Sequence, residues 1–92
     1  MEKITGKTST GFNYSFDRRV LTDWGFVSML GELTDKEKSE SEKITCMQKV
    51  FLEILGKEQT ENLINHVRKN NDGFAPIEEV MKELGEITSK KN

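Results

Sequence analysis

Near residue 22 the spacing of apolar residues changes from two to three and four, and few folds accommodate both halves. The segment "KITGKTSTGFNYSFD", residues 3–17, sets Phe12, Tyr14 and Phe16 two apart. In an extended strand that spacing carries all three rings on one face. With Thr8 to Gly11 as a turn, residues 2–17 are expected to form a β-hairpin from strands over 2–7 and 12–17. A two-stranded ribbon is marginal in water, so this one must pack on helices or on another chain.

Beyond residue 22 the pattern is helical. Thr22 suits an N-cap, Asp23 suits the first turn, and Trp24, Val27, Leu30 and Leu33 recur at three-residue intervals. Gly25 and Gly31 lie inside that stripe, each costing about 1 kcal/mol relative to alanine; either something packs closely there or the helix is short. The charged stretch "TDKEKSESEK", residues 34–43, is a solvated connection or the exposed start of the next helix. Ile44, Met47, Phe51, Ile54 and Leu55 form the next stripe, and Gly56 stands where a left-handed C-cap belongs. Leu63, Ile64 and Val67 mark another helix, closed by Asn70 to Gly73. Pro76 then starts a last one, whose buried face is expected to carry Ile77, Val80, Met81, Leu84 and Ile87. The expectation is a single α+β domain over 1–92. It has an N-terminal β-hairpin followed by about four helices, 22–33, 42–55, 57–70 and 76–88, with a frayed tail at 89–92.

Composition narrows the function. Fourteen basic and sixteen acidic residues leave a net charge of −2, without the cationic face that a phosphate backbone requires. No nucleic-acid partner is expected. Cys46 stands alone, so no intrachain disulfide can form and a reducing compartment is expected. No apolar run reaches membrane-spanning length, and "MEKITGK" lacks the apolar stretch of a secretion signal, so a soluble cytoplasmic protein with no membrane partner is expected.

Sharper chemistry fails residue by residue. "RKNNDGFAPIEE", residues 68–79, mimics a twelve-residue calcium loop, with Asn70, Asp72, Gly73 and Glu79 in ligand or turn places. Its first place, however, is Arg68, a cation where the first carboxylate belongs, and Pro76 at the ninth place starts a helix. A helix end followed by a helix start accounts for the same residues. His66, the only histidine, has Asn62 and Asn70 four residues away along a helix, neither of them a carboxylate that would orient a base. Cys46 flanks an apolar stripe, as a small buried hydrophobe would. Glu78, Glu79 and Glu83 fit a solvated face better than an acid–base pair. No phosphate-binding or nucleophile-elbow pattern occurs. No catalytic residue, cofactor or metal is assigned, and the chain is not expected to be an enzyme.

Aromatic residues on a ribbon with a free edge can serve as interface anchors. Core packing is the other reading of these rings and of Trp24; the candidate protein-interaction residues are Phe12, Tyr14, Phe16, Trp24, Phe26 and Leu30.

The stretches "FNYSFD", "LTDWGFVSMLGEL" and "FLEILGKEQTENLINHVRKNNDGFAPIEEVMKELGEI" resemble, in order and character, the tail assembly chaperones of long-tailed phages that infect Gram-positive bacteria. The shared features are Asp23–Trp24 near the start of a helix, Leu55–Gly56 followed by Glu58–Gln59, and the Asp72–Gly73 turn before an acidic last helix. The resemblance covers nearly the whole chain through short motifs. Gly25, Gly31 and the long charged stretch 34–43 depart from it. It implies a non-catalytic protein that binds the tape measure protein, keeps it soluble and gathers tail-tube protein around it. Self-association would hide part of its surface, and it would act in the host cytoplasm and be absent from the mature virion. The other reading is a regulatory protein-binding module with a degenerate, non-calcium-binding EF-hand-like helix pair.

Overall fold

The computed structural model describes residues 2–89. Strands β1 (Lys3–Lys7) and β2 (Asn13–Asp17) pair antiparallel, with Ile4 opposite Phe16, Thr5 opposite Ser15 and Gly6 opposite Tyr14. The turn between them spans the expected residues. Thr8 N–H donates to Phe12 O at 2.9 Å, Gly11 N–H donates to Thr8 O at 2.9 Å, and Thr8 Oγ1 accepts from Phe12 N–H at 3.1 Å. Gly11 has φ 97°, a left-handed conformation that glycine adopts without a Cβ penalty. At Gly6 the constraint is different: a β-carbon there would lie 2.5 Å from Tyr14 Oη, so the Tyr14 ring that covers the glycine would have to shift.

A 3-10 turn, Arg18–Thr22, leads into helix α1, Trp24–Leu33. Its N-cap is Asp23 rather than Thr22, and the Asp23 carboxylate accepts from Phe26 N–H at 3.1 Å. The Thr22 hydroxyl instead donates back to Arg19 O at 3.2 Å. Both residue types cap well, and the 3-10 turn, by holding Thr22, moves the helix start two residues on. Nothing packs closely on Gly31, where an added β-carbon would meet open space; the helix is simply short.

Helix α2 runs from Glu40 to Asn70 and begins inside the charged stretch. Ser39 and Glu42 form a reciprocal capping box: Glu42 N–H donates to Ser39 Oγ at 3.2 Å, and Ser39 N–H donates to Glu42 Oε1 at 2.9 Å. Thus the polar composition of 34–43 encodes a cap as well as a connection. Helix α3 spans Ile77–Thr88, with Pro76 at its N-cap.

Among the described residues the fold is α+β with a two-stranded hairpin and three α-helices, not about four. The expected helices 42–55 and 57–70 are the two halves of α2, joined at Gly56, which has φ 80° and ψ 172°. Its φ is positive as a C-cap glycine requires, but its ψ is far from the left-handed helical value, so the chain bends and resumes helix at once. Side chains from the second half satisfy carbonyls of the first. Thr60 Oγ1 donates to Phe51 O at 3.2 Å and Gln59 Nε2 donates to Leu55 O at 2.9 Å. The expected frayed tail begins at Ser89, and its residues 90–92 lie outside the described residues.

One continuous core joins the hairpin to all three helices. Phe26, Val50 and Leu63 are its most completely buried side chains, and Leu84 and Ile87 add the inner stripe of α3.

Candidate protein-binding surfaces

The six residues singled out from the sequence do not form one surface. Phe12, Phe16 and Phe26 belong to the core, Phe26 with no exposed area. In this conformation their rings have nothing left to offer a partner. Tyr14 is half-buried and stacks on Phe16 with ring centroids 6.0 Å apart. Leu30 is half-buried against the core. Trp24, the first residue of α1, is 86% exposed and Val27, one turn later, is half-exposed. The tertiary fold therefore separates a buried aromatic set from one exposed indole.

A larger apolar surface lies elsewhere, between α2 and α3. Two adjoining depressions, of about 450 Å³ and about 460 Å³, share Ile44, Met47 and Ile77 on their walls. Leu52 and Arg68 line the first and Met81 lines the second. Leu52, Ile77 and Met81 are each more than two-fifths exposed, and Phe74 on the loop between the helices is 71% exposed. Sequence reasoning missed this groove because it assigned the whole α3 stripe to the core. The available signal was the width of that stripe. Ile77 and Met81 are one turn apart and flank Val80, Leu84 and Ile87, so a single neighbouring helix cannot cover them all.

At the other end of α3 a polar knot ties the hairpin turn to both long helices. Thr10 Oγ1 donates to Glu83 Oε2 at 2.7 Å and lies 3.0 Å from His66 Nε2 and 3.2 Å from Thr8 Oγ1. The same His66 nitrogen lies 3.4 Å from Asn70 Nδ2. Glu83 is 3% exposed, and its Oε1 has no hydrogen-bond partner among the described residues. The hydroxyl stands between imidazole and carboxylate. In an activated nucleophile the imidazole stands between the other two. Next to the knot, Ser9 N–H and Oγ donate to the two carboxylate oxygens of Glu86 at 2.6 and 2.7 Å, which holds the Glu86 pKa below its ordinary value.

The remaining candidate groups have local partners. Cys46 is buried, donates its S–H to Met29 O at 3.2 Å, and has its thiol pKa raised, first by burial and then by the nearby Glu32. That favours the thiol over the reactive thiolate. In the 68–79 segment, Gly73 N–H and Asn71 N–H both donate to Arg68 O, at 2.7 and 3.1 Å, closing the end of α2. Among the described residues no three His, Cys, Asp or Glu side chains come together in a way that could hold a metal ion. No helix among them is long and apolar enough to cross a membrane.

No family model, no curated protein and no solved structure matches the chain.

Proposed function

We propose that this chain is a non-catalytic chaperone that holds an amphipathic helix of a partner protein in the groove between α2 and α3. The observation that carries the reading is that groove, whose apolar walls continue from Ile44 to Ile64 and Ala75. Helix-in-groove binding uses such a surface, with a client presenting apolar residues at three- and four-residue spacing.

The resemblance to phage tail assembly chaperones supplies the partner. The client is the tape measure protein, a long helical chain that needs its apolar stripes covered until tail-tube protein assembles on it. Self-association covers the same groove when no client is present. On this reading the protein works in the cytoplasm of a bacterial host and leaves before the virion is complete. Trp24 is a second contact, at the start of α1.

The test is pull-down and calorimetry with helical segments of the tape measure protein, using Leu52→Glu and Met81→Glu. Both side chains are substantially exposed, so far-UV circular dichroism should be unchanged, while affinity should fall about tenfold or more, as for interface anchors. Binding equal to that of the unmodified protein would overturn the groove as the client site.

A further inference from the structure

The two edges of the hairpin are not equivalent. The outer edge of β2 is closed at its middle residue: Gln59 Oε1 accepts from Ser15 N–H at 2.9 Å and Gln59 Nε2 donates to Ser15 O at 2.8 Å. Those bonds show that the Ser15 backbone points away from β1. Thr5, its cross-strand partner, must therefore point its own N–H and C=O away from β2. Bonds from Arg18 N–H to Glu2 O and from Thr8 N–H to Phe12 O place the inward-bonded pairs at the even-numbered residues of β1. By the period of two, Lys3, Thr5 and Lys7 all present unpaired backbone groups at the outer edge, and no hydrogen bond from another described residue reaches them.

Side chains along this edge divide by face. Lys3, Thr5 and Lys7 are exposed on one side, with no carboxylate within ion-pair distance of either lysine among the described residues. Ile4 and Gly6 lie on the other side with Tyr14 and Phe16, beside a cavity of about 760 Å³ that reaches Ile87. None of its lining residues belongs to the groove between α2 and α3.

We propose that β1 is a docking edge for an extended, acidic strand of a partner protein, which adds to the hairpin as a third strand. Its backbone pairs with Lys3, Thr5 and Lys7. Alternate carboxylate side chains lie opposite the two lysines, and the intervening apolar side chains enter the cavity beside Ile4, Gly6 and Tyr14. Main-chain bonds provide attachment in this mode, and alternate side chains provide specificity. Charge selects the occupant. A second copy paired antiparallel through its own β1 in the fully overlapping register would set Lys3 against Lys7, and like charges directly opposite are destabilising. An acidic strand meets opposite charge at both positions.

The experiment titrates 15N-labelled protein with the peptide acetyl-Glu-Val-Glu-Val-Glu-amide, its lysine counterpart, and a glutamate peptide N-methylated at alternate residues. The expected result is that the glutamate peptide shifts the amide signals of Lys3, Thr5 and Lys7 and slows their exchange, and that binding weakens as salt rises. The lysine and N-methylated peptides should bind at least tenfold more weakly. The double variant Lys3→Glu, Lys7→Glu, whose sites are on the surface, should reverse the preference in favour of the lysine peptide. Equal binding of the two charge types, shifts confined to Ile44, Leu52 and Ile77, or no binding at millimolar peptide would overturn the proposal.

Discussion

The Gln59 side chain closes both backbone hydrogen bonds of Ser15, doing for β2 what a neighbouring strand would do. It stands just past the bend in α2 and also donates to Leu55 O at 2.9 Å. One amide thus joins the bend of the long helix to the edge of the hairpin.

Gln59→Ala should therefore destabilise the protein by about 1–3 kcal/mol, because it leaves partly buried N–H and C=O groups without partners. Gln59→Glu keeps the acceptor but loses the donor, and should fall between alanine and the unmodified protein. Urea unfolding followed by circular dichroism measures both. Midpoints unchanged in both variants would show that the Ser15 bonds contribute nothing.

Glycines on the helices should respond to alanine with opposite signs. Gly56 has φ 80° and ψ 172°, a region almost restricted to glycine, so Gly56→Ala should cost about 1–3 kcal/mol. A β-carbon at Gly31 or Gly85 would meet open space within an ordinary helix. Alanine there should stabilise by about 0.5–1 kcal/mol through the lower entropy of the unfolded chain. Thermal unfolding of the three variants checks the signs.

Acid should weaken two carboxylate contacts of the hairpin, the local Asp17–Arg19 pair and the Glu86–Ser9 tie to α3. Asp17 is held at about 2, from an ordinary 3.8, chiefly by side-chain and backbone hydrogen bonds from Arg19. Glu86 is held below 4.5 first by the backbone N–H of Ser9 and then by its hydroxyl. Both folded values are depressed, so the stability they contribute is present above the unfolded pKa and is lost as pH falls through the folded one. For Asp17 that window runs from about pH 4 to about pH 2. Carboxyl NMR titration should show the Glu86 midpoint rising part of the way toward 4.5 in Ser9→Ala, since the larger backbone contribution remains. A midpoint that does not move would show that the hydroxyl plays no part.

Much of the local structure was legible along the chain. The two-residue alternation marked the hairpin, the Thr8–Gly11 turn fell where expected, and Pro76 marked the approach to the last helix. These features depend on neighbours in sequence and on fixed backbone preferences, so a linear reading reaches them. The helix count did not follow in the same way. Gly56 announced a positive φ, yet whether the chain then turns away or bends and continues depends on Gln59 and Thr60 satisfying carbonyls of the first half of α2.

Surfaces were legible least of all. Phe26 and Trp24 are two residues apart on one helix, and sequence alone treated them as one candidate patch. Packing buried the first completely and left the second open, because a helix face is defined only by what lies against it. The same holds for Ile77 and Met81, apolar in sequence yet left exposed at the groove between α2 and α3. Periodicity determined which residues could be buried together; only the placement of neighbouring elements decided which of them were, since burial belongs to pairs of surfaces rather than to single residues.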